Sequence, residues 1–317
     1  MLTPTREIRI EPSTVCNYRC LMCARDKLTR KKEIMPTSFF EQIATAAKET
    51  LPHLEMCTVS GFGEFAMDPD WPAKLEIARR LYDAVHVVTN LSVVKDDQLS
   101  QLADLATEVR VSVNALGDER YQAVHRCGPQ VSFPQVEDRI RRLSERRGPD
   151  FKLRLSLAVV KENEDQVEDW TAHFEGLVDG LEVWRPHNWV TGQRFRQLAA
   201  KRLTTCDRPA TGPLQVQVDG TMNVCCFDFN GEMLIGDLRT QSLTEILTGP
   251  ALARIRALHS SGRADELPLC AVCDQRDPPE HKEQYMVHCS FARKSERVVR
   301  TSSGYERVST GNLDRDE

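Results

Sequence analysis

The sequence predicts an α/β fold, a partial (β/α)6 barrel followed by a small second domain rich in cysteine. Three observations carry that expectation. Six short apolar runs alternate with five amphipathic stretches through the first part of the chain. Near residue 190 the pattern changes to a polar connector and then a hairpin signal. Finally, the eleven cysteines are mostly bunched, as 16/20/23, 225/226 and 270/273.

The strands are expected at residues 7–11, 56–60, 85–89, 109–114, 152–160 and 181–185, and the helices between them at 38–50, 71–82, 96–106, 133–147 and 164–177. Such alternation implies βα units around a parallel sheet. Six strands suit a curved sheet or incomplete barrel better than a closed eight-stranded one, and chemistry is then expected at the C-terminal strand ends. Residues 188–205 are polar and basic and read as a connector. Residues 214–218 and 222–226 flank Asp219-Gly220-Thr221, an Asp-Gly hairpin signal. A helix is expected over 243–258, then a loop carrying Cys270 and Cys273, then a charged tail, 293–317, expected to be mobile. The division is therefore 1–190, 191–292 and 293–317.

Composition narrows the function classes. The chain has 317 residues and a net charge of −5, so nothing in its electrostatics favours nucleic acid as partner. No apolar stretch approaches the roughly 20 residues that span a bilayer, and the first nine residues lack a signal-peptide core. A cytoplasmic location is expected. An odd cysteine count in bunches argues against a disulfide framework and for metal or iron–sulfur ligands.

Cys16-Asn-Tyr-Arg-Cys20-Leu-Met-Cys23 begins where the first expected strand ends. Three thiolates can hold three irons of a [4Fe–4S] cube and leave the fourth open, which marks a reactive site. Zinc with a remote fourth ligand, or simple packing, are the alternatives.

This C-x3-C-x2-C motif resembles that of the radical S-adenosylmethionine (SAM) superfamily. The resemblance implies a partial TIM-like barrel and a [4Fe–4S] cluster held by Cys16, Cys20 and Cys23. It also implies SAM chelated at the open iron, whose reductive cleavage gives a hydrogen-abstracting 5′-deoxyadenosyl radical. By the same resemblance Met22 packs near the adenine, and Ser60-Gly61-Phe62-Gly63-Glu64 corresponds to the Gly-Gly-Glu segment that binds the SAM amine. Phe62 between the glycines, and the missing proline after Glu64, depart from the family pattern. Thr89 and Asn90 end the third strand where the family often has Thr-Asn-Gly. Ser112 and Asn114 end the fourth, where polar groups contact SAM, and Arg154 on the fifth is a candidate for its carboxylate.

Cys206, Cys225, Cys270 and Cys273 can complete either a zinc site or a second [4Fe–4S] cluster. Cys-x13-Gly-x4-Cys followed by C-x2-C resembles the SPASM/twitch extension of radical SAM enzymes, which implies a cluster. Too few cysteines remain for a two-cluster SPASM domain, so the arrangement implied is the twitch type with one auxiliary cluster. Residues 225–238 particularly resemble the 2-deoxy-scyllo-inosamine dehydrogenase type of aminoglycoside biosynthesis, which oxidises a ring alcohol to a ketone.

Ligands subtracted, Cys57, Cys127, Cys226 and Cys289 remain. Cys57 reads as core, and Cys226 on a strand would alternate away from Cys225. None stands on the sixth strand or beside Pro186-His187-Asn188-Trp189, where a hydrogen donor would face substrate. Dehydrogenation is therefore expected ahead of epimerisation by a cysteine donor. Peptide maturation is the third expectation, set behind a small substrate because Cys16 stands almost at the start and leaves no room for a leader-capturing domain, and a zinc- or iron–sulfur-stabilised binding module is the non-enzymatic alternative. His187 is the candidate base, with a pKa ordinarily close to neutrality. Arg185 or Arg194 are candidates to lower the hydroxyl pKa, and Asp228 and Glu232 are weighed between substrate contacts and turn residues. The expected substrate is a small polar molecule, an aminocyclitol or aminoglycoside intermediate. The basic run Arg25-Asp-Lys-Leu-Thr-Arg-Lys-Lys32 reads as a solvated face or a dock for an acidic electron donor of the flavodoxin or ferredoxin type.

Overall fold

The computed structural model describes residues 2–190, 195 and 197–278, together with the backbone of strands within 286–309. Six parallel strands come first: β1 (Glu7–Ile10), β2 (Met56–Val59), β3 (Ala84–Thr89), β4 (Glu108–Ser112), β5 (Lys152–Ala158) and β6 (Gly180–Trp184). They lie side by side in chain order, each paired in parallel with the next. The helices between them are α1 (Thr37–Thr50), α2 (Trp71–Leu81), α3 (Leu99–Leu105), α4 (Asp118–His125), α5 (Phe133–Ser144) and α6 (Val167–Phe174). All six expected strands and five expected helices form, with ends shifted by a few residues. α4 is the addition: only Tyr121, Val124 and His125 are buried along it, too few for a visible apolar period.

The strand patterns explain where the core and the lumen sit. In β5, Leu153, Leu155 and Leu157 are buried in the same core as Phe40, Leu75 and Trp170, while Arg154 and Ser156 face the other way. Sheets covered with apolar material on both faces read as continuous hydrophobic runs; these strands alternate because their second face is polar. Glu108 on that face pairs with Arg110 and Arg154, and Arg110 reaches Glu182. An ionic belt thus crosses β4, β5 and β6 below their C-terminal ends.

The second half is continuous with this sheet. After α7 (Arg208–Thr211), β7 (Leu214–Val216) pairs in parallel with β1. β8 (Thr221–Asn223) and β9 (Leu234–Asp237) follow antiparallel. The turn between β7 and β8 is the expected Asp-Gly one, with Gly220 at φ +87°, a conformation that favours glycine. The helix expected over 243–258 is two, α8 (Leu243–Thr248) and α9 (Pro250–Ser260). Pro250 pushes Gly249 to an extended ψ of 158° and ends the first helix there. α10 (Pro268–Ala271) carries Cys270. β10 (Met286–Cys289) pairs antiparallel with β6. Within the segment expected to be a tail, the backbone forms an antiparallel pair, β11 (Glu296–Thr301) and β12 (Gly304–Ser309). The Val, Thr and Tyr residues of those segments suit a strand once a partner is beside it. β1 and β6 pair with β7 and β10, not with each other, so the barrel is open.

Candidate active site

The cysteine loop leaves the C-terminal end of β1 and lies against the end of α4. Arg19 N–H donates to the His125 carbonyl (3.1 Å), and Leu21 N–H to that of Val124 (3.0 Å). The buried Tyr18 ring packs edge-on against His125 and reaches Tyr121 Oη at 3.2 Å. Cys23 N–H closes a turn onto the Cys20 carbonyl (3.0 Å), and Tyr18 N–H donates to Cys16 Sγ (3.4 Å). These three residues are partly buried, whereas Cys57 is fully buried in β2 as expected. Burial pushes the Cys16 thiol up, Cys20 well up and Cys23 to about 11. Metal must therefore displace protons on binding, and loading depends on pH. Three thiols at a strand-end mouth fit the donor set of a cluster with one open iron. Among the described residues, no three His, Cys, Asp or Glu side chains converge as they would on a single ion.

Glu64 anchors the loop after β2. Its Oε1 accepts from Thr89 Oγ1 (2.6 Å) and its Oε2 from Asn90 N–H (2.7 Å), so the structure brings Glu64, Thr89 and Asn90 together. Asn90 Nδ2 donates to Asn17 Oδ1 (3.0 Å), which ties this cluster to the cysteine loop. Burial pushes the Glu64 carboxyl up to about 7 despite these bonds. Both glycines are required by close approach. A Cβ on Gly63 would stand 2.3 Å from the Ser13 carbonyl oxygen, and one on Gly61 2.1 Å from Glu11 Cγ. Glu11 is a hub that the motifs did not reveal: its carboxylate accepts from Phe62 N–H, Val218 N–H and Arg30. A carboxylate at the end of a barrel strand was the available signal.

The other predicted SAM contacts divide. Ser112 Oγ lies 3.5 Å from Ser156 Oγ on the neighbouring strand, at the barrel mouth. Met22 is half-buried in the cysteine loop, and its carbonyl accepts from Trp189 Nε1 (2.8 Å). Asn114 is buried, and its side-chain oxygen accepts from Ala158 N–H (2.7 Å), so it clasps the ends of β4 and β5. Arg154 does not reach the mouth: its Nε lies 2.9 Å from Glu108 in the ionic belt. The pleat sets its depth, two residues below Ser156.

Cys206, Cys225, Cys270 and Cys273 line one cavity together with Arg208 and His259. Burial pushes Cys270 to about 11 and Cys273 to about 12. Cys226 follows Cys225 in a turn rather than on a strand, so its thiol does not alternate away as expected: it lies against the Cys225 thiol and 3.5 Å from Arg208 Nη1. It lines a neighbouring cavity with Arg9, Ser60, Gly61, Phe62 and Trp189. Phe62 explains its own departure from the family pattern. It stacks on Phe229 at 4.8 Å and meets Trp189 edge-on at 5.5 Å, so the loop after β2 is packed against the second half. His187 packs against Phe227 at 4.5 Å, and its Nδ1 accepts from Gln275 Nε2 (3.0 Å). Arg185 follows β6 and is half-buried; Arg194 and the Cys289 side chain lie outside the described residues. Asp228 accepts from Glu232 and Met233 N–H (2.7 and 2.9 Å) as a turn residue, and Glu232 is exposed. In the basic run, Arg30 is turned inward to Glu11 and to the Phe229 carbonyl (2.6 Å each), while Lys27, Lys31 and Lys32 are exposed.

Comparison with known proteins agrees with this layout. No curated protein sequence matches the chain. Among solved structures, BtrN in complex with AdoMet and 2-DOIA is similar at TM-score 0.59 and 16% identity, over 86% of this chain and 94% of that one. SuiB of Streptococcus suis bound to precursor peptide SuiA gives 0.63 and 14%, over 86% and 70%. The anSMEcpe structure with bound AdoMet gives 0.63 and 12%, over 85% and 89%. The sequence profile of the radical SAM superfamily matches residues 10–173, and that of SPASM, an iron–sulfur cluster-binding domain, matches residues 206–274. The chain belongs to the radical SAM superfamily and carries a SPASM domain after its barrel.

Proposed function

We propose that the protein is a radical SAM dehydrogenase that oxidises a secondary alcohol of a small polar substrate, an aminocyclitol or aminoglycoside intermediate, to a ketone. Membership of the superfamily implies a [4Fe–4S] cluster and SAM, and the SPASM domain implies further iron–sulfur binding. In this reading Cys16, Cys20 and Cys23 hold the first cluster, with Glu64, Thr89, Asn90 and Ser112 around SAM. Bound there, the pair supplies the 5′-deoxyadenosyl radical that takes hydrogen from the carbinol carbon, and the second cluster supplies a sink for the remaining electron.

The observation that carries the reading is the single cavity shared by Cys206, Cys225, Cys270 and Cys273. Four thiolates saturate a cubane, which leaves electron transfer rather than substrate chelation as its role. The hydroxyl proton needs an acceptor, and His187 is the group proposed, beside Gln275 on the wall of that cavity. Arg185 supports it electrostatically. The likeness to BtrN in complex with 2-DOIA supports a small substrate. The exposed Lys27, Lys31 and Lys32 are the proposed dock for a flavodoxin- or ferredoxin-type donor. No helix among the described residues is long and apolar enough to cross a membrane.

Anaerobically reconstituted protein should contain about eight irons per chain, four for each cubane. With reductant, SAM and an aminocyclitol, it should release one ketone per 5′-deoxyadenosine. Cys16→Ala should abolish SAM cleavage, whereas Cys270→Ala should keep cleavage and lose the ketone. Full ketone formation by a Cys270→Ala protein without its second cluster would falsify the electron-acceptor role.

Epimerisation is the second reading, favoured by Cys226. Its place in one cavity with Ser60, Gly61 and Phe62 puts a thiol beside the SAM-binding loop. A dehydrogenase keeps ketone formation in Cys226→Ser; an epimerase loses incorporation of solvent deuterium into a product of unchanged mass.

A further inference from the structure

His125 lies at the end of α4 and is fully buried, 0% exposed. Its two ring nitrogens face two parts of the site. Nε2 lies 3.0 Å from the backbone nitrogen of Asn114, which can only donate. Nε2 is therefore an acceptor and carries no proton, so the neutral ring holds its proton on Nδ1. Nδ1 lies 3.3 Å from Cys20 Sγ. The ring cannot swing away. Tyr121 packs on it at 4.2 Å and Tyr18 at 5.1 Å, while the adjoining backbone is tied to the cysteine loop by the bonds from Arg19 and Leu21.

We propose that His125 donates a fixed Nδ1–H···Sγ hydrogen bond to Cys20 and so sets the reduction potential of the first cluster. The inference rests on Cys20 being a cluster ligand. A hydrogen bond to a cluster sulfur withdraws negative charge from it and favours the reduced, more negative state, which raises the potential. The bond is directional because the Asn114 amide selects the tautomer, so the end of β4 specifies which ring nitrogen meets the thiolate. His125 acts through Cys20 and is a positioning residue.

Two isosteric variants separate donation from packing. In His125→Gln the side-chain oxygen can still accept from Asn114, but no donor remains at the Nδ1 position. In His125→Asn the amide nitrogen takes the place of Nδ1 and keeps the donor. Spectroelectrochemistry of reconstituted protein should give a more negative potential for the first cluster in His125→Gln, a return toward the parent value in His125→Asn, and an unchanged second cluster in both. Equal first-cluster potentials in all three proteins overturn the proposal. Should the variants not load iron, the parent protein still tests it. With histidine labelled by nitrogen-15 and SAM added to shift the first cluster's EPR signal from the second's, spin-echo modulation should show nitrogen-15 coupling in the shifted signal. Its absence equally overturns the proposal. Cys20→Ala is the separate control: retention of an intact first cluster there defeats the ligand assignment itself, whatever the histidine variants show.

Discussion

Glu64 is a buried carboxyl at 3% exposure with three donors around it, and the two influences oppose each other. Burial penalises the anion more than the donors favour it, and the group titrates at about 7 instead of its ordinary 4.5. Between those values the folded chain holds a proton that the unfolded chain has released. The stability of the metal-free protein should therefore fall as pH rises from 4.5 through 7, by on the order of 3 kcal/mol from this group. Urea titrations of parent and Glu64→Gln at pH 5 and pH 8 check this, because the parent's loss should be smaller in the variant. In the proposed reading the SAM amine binds at Glu64, and a positively charged partner there would pull the proton off. Calorimetry at pH 6 in two buffers of different ionisation enthalpy should then show proton release on SAM binding, fading above pH 8. Glu64→Gln should abolish that release and weaken SAM binding roughly 10- to 100-fold, as removal of a charge-assisted hydrogen bond does. A variant with the parent's proton release would assign the titration to another group.

At the scale of elements, the loop after β2 is positioned by contacts on both sides. Gly63 meets backbone, the carbonyls of Ser13 and Val15, whereas Gly61 meets the Glu11 side chain. Backbone cannot step aside. Gly63→Ala should cost about 1–3 kcal/mol in thermal unfolding and most of the SAM affinity, with Gly61→Ala the milder of the two; the reverse order would mean that Glu11 is the more rigid wall. This loop also shows what the sequence could and could not reveal. Its glycines, its carboxylate and its place after a strand were legible because each belongs to one short segment. Glu11 was not, because its three partners Phe62, Val218 and Arg30 come from three distant segments. The strands were readable because their alternation is local, and so were both cysteine sets. His125 escaped notice because α4 is short with a single buried edge, and because its partners are a backbone amide and a thiol supplied by the fold. Arg154 was placed on the correct strand, but its depth depends on the ion pair with Glu108, which only the register of β4 and β5 discloses.

On the scale of the whole molecule, the two halves share one sheet. β7 hydrogen-bonds along β1, Val218 N–H and Arg30 converge on Glu11, and Phe62 stacks on Phe229. The first half consequently lacks a finished edge of its own, since β1 without β7 would present open backbone groups beside the cysteine loop. A chain ending at residue 190 loses β7, the partner of Phe62, and one of the donors to Glu11 at once. It should aggregate or run as an oligomer in size-exclusion chromatography and bind SAM poorly even when three cysteines and Glu64 are intact. Among the described residues, removal of 296–317 takes away the β11–β12 pair beyond β10, and it should leave SAM binding and iron content near those of the parent. A monomeric 1–190 fragment with parental SAM affinity would show that the barrel is self-sufficient, and that the packing of Phe62 on Phe229 serves only the second half.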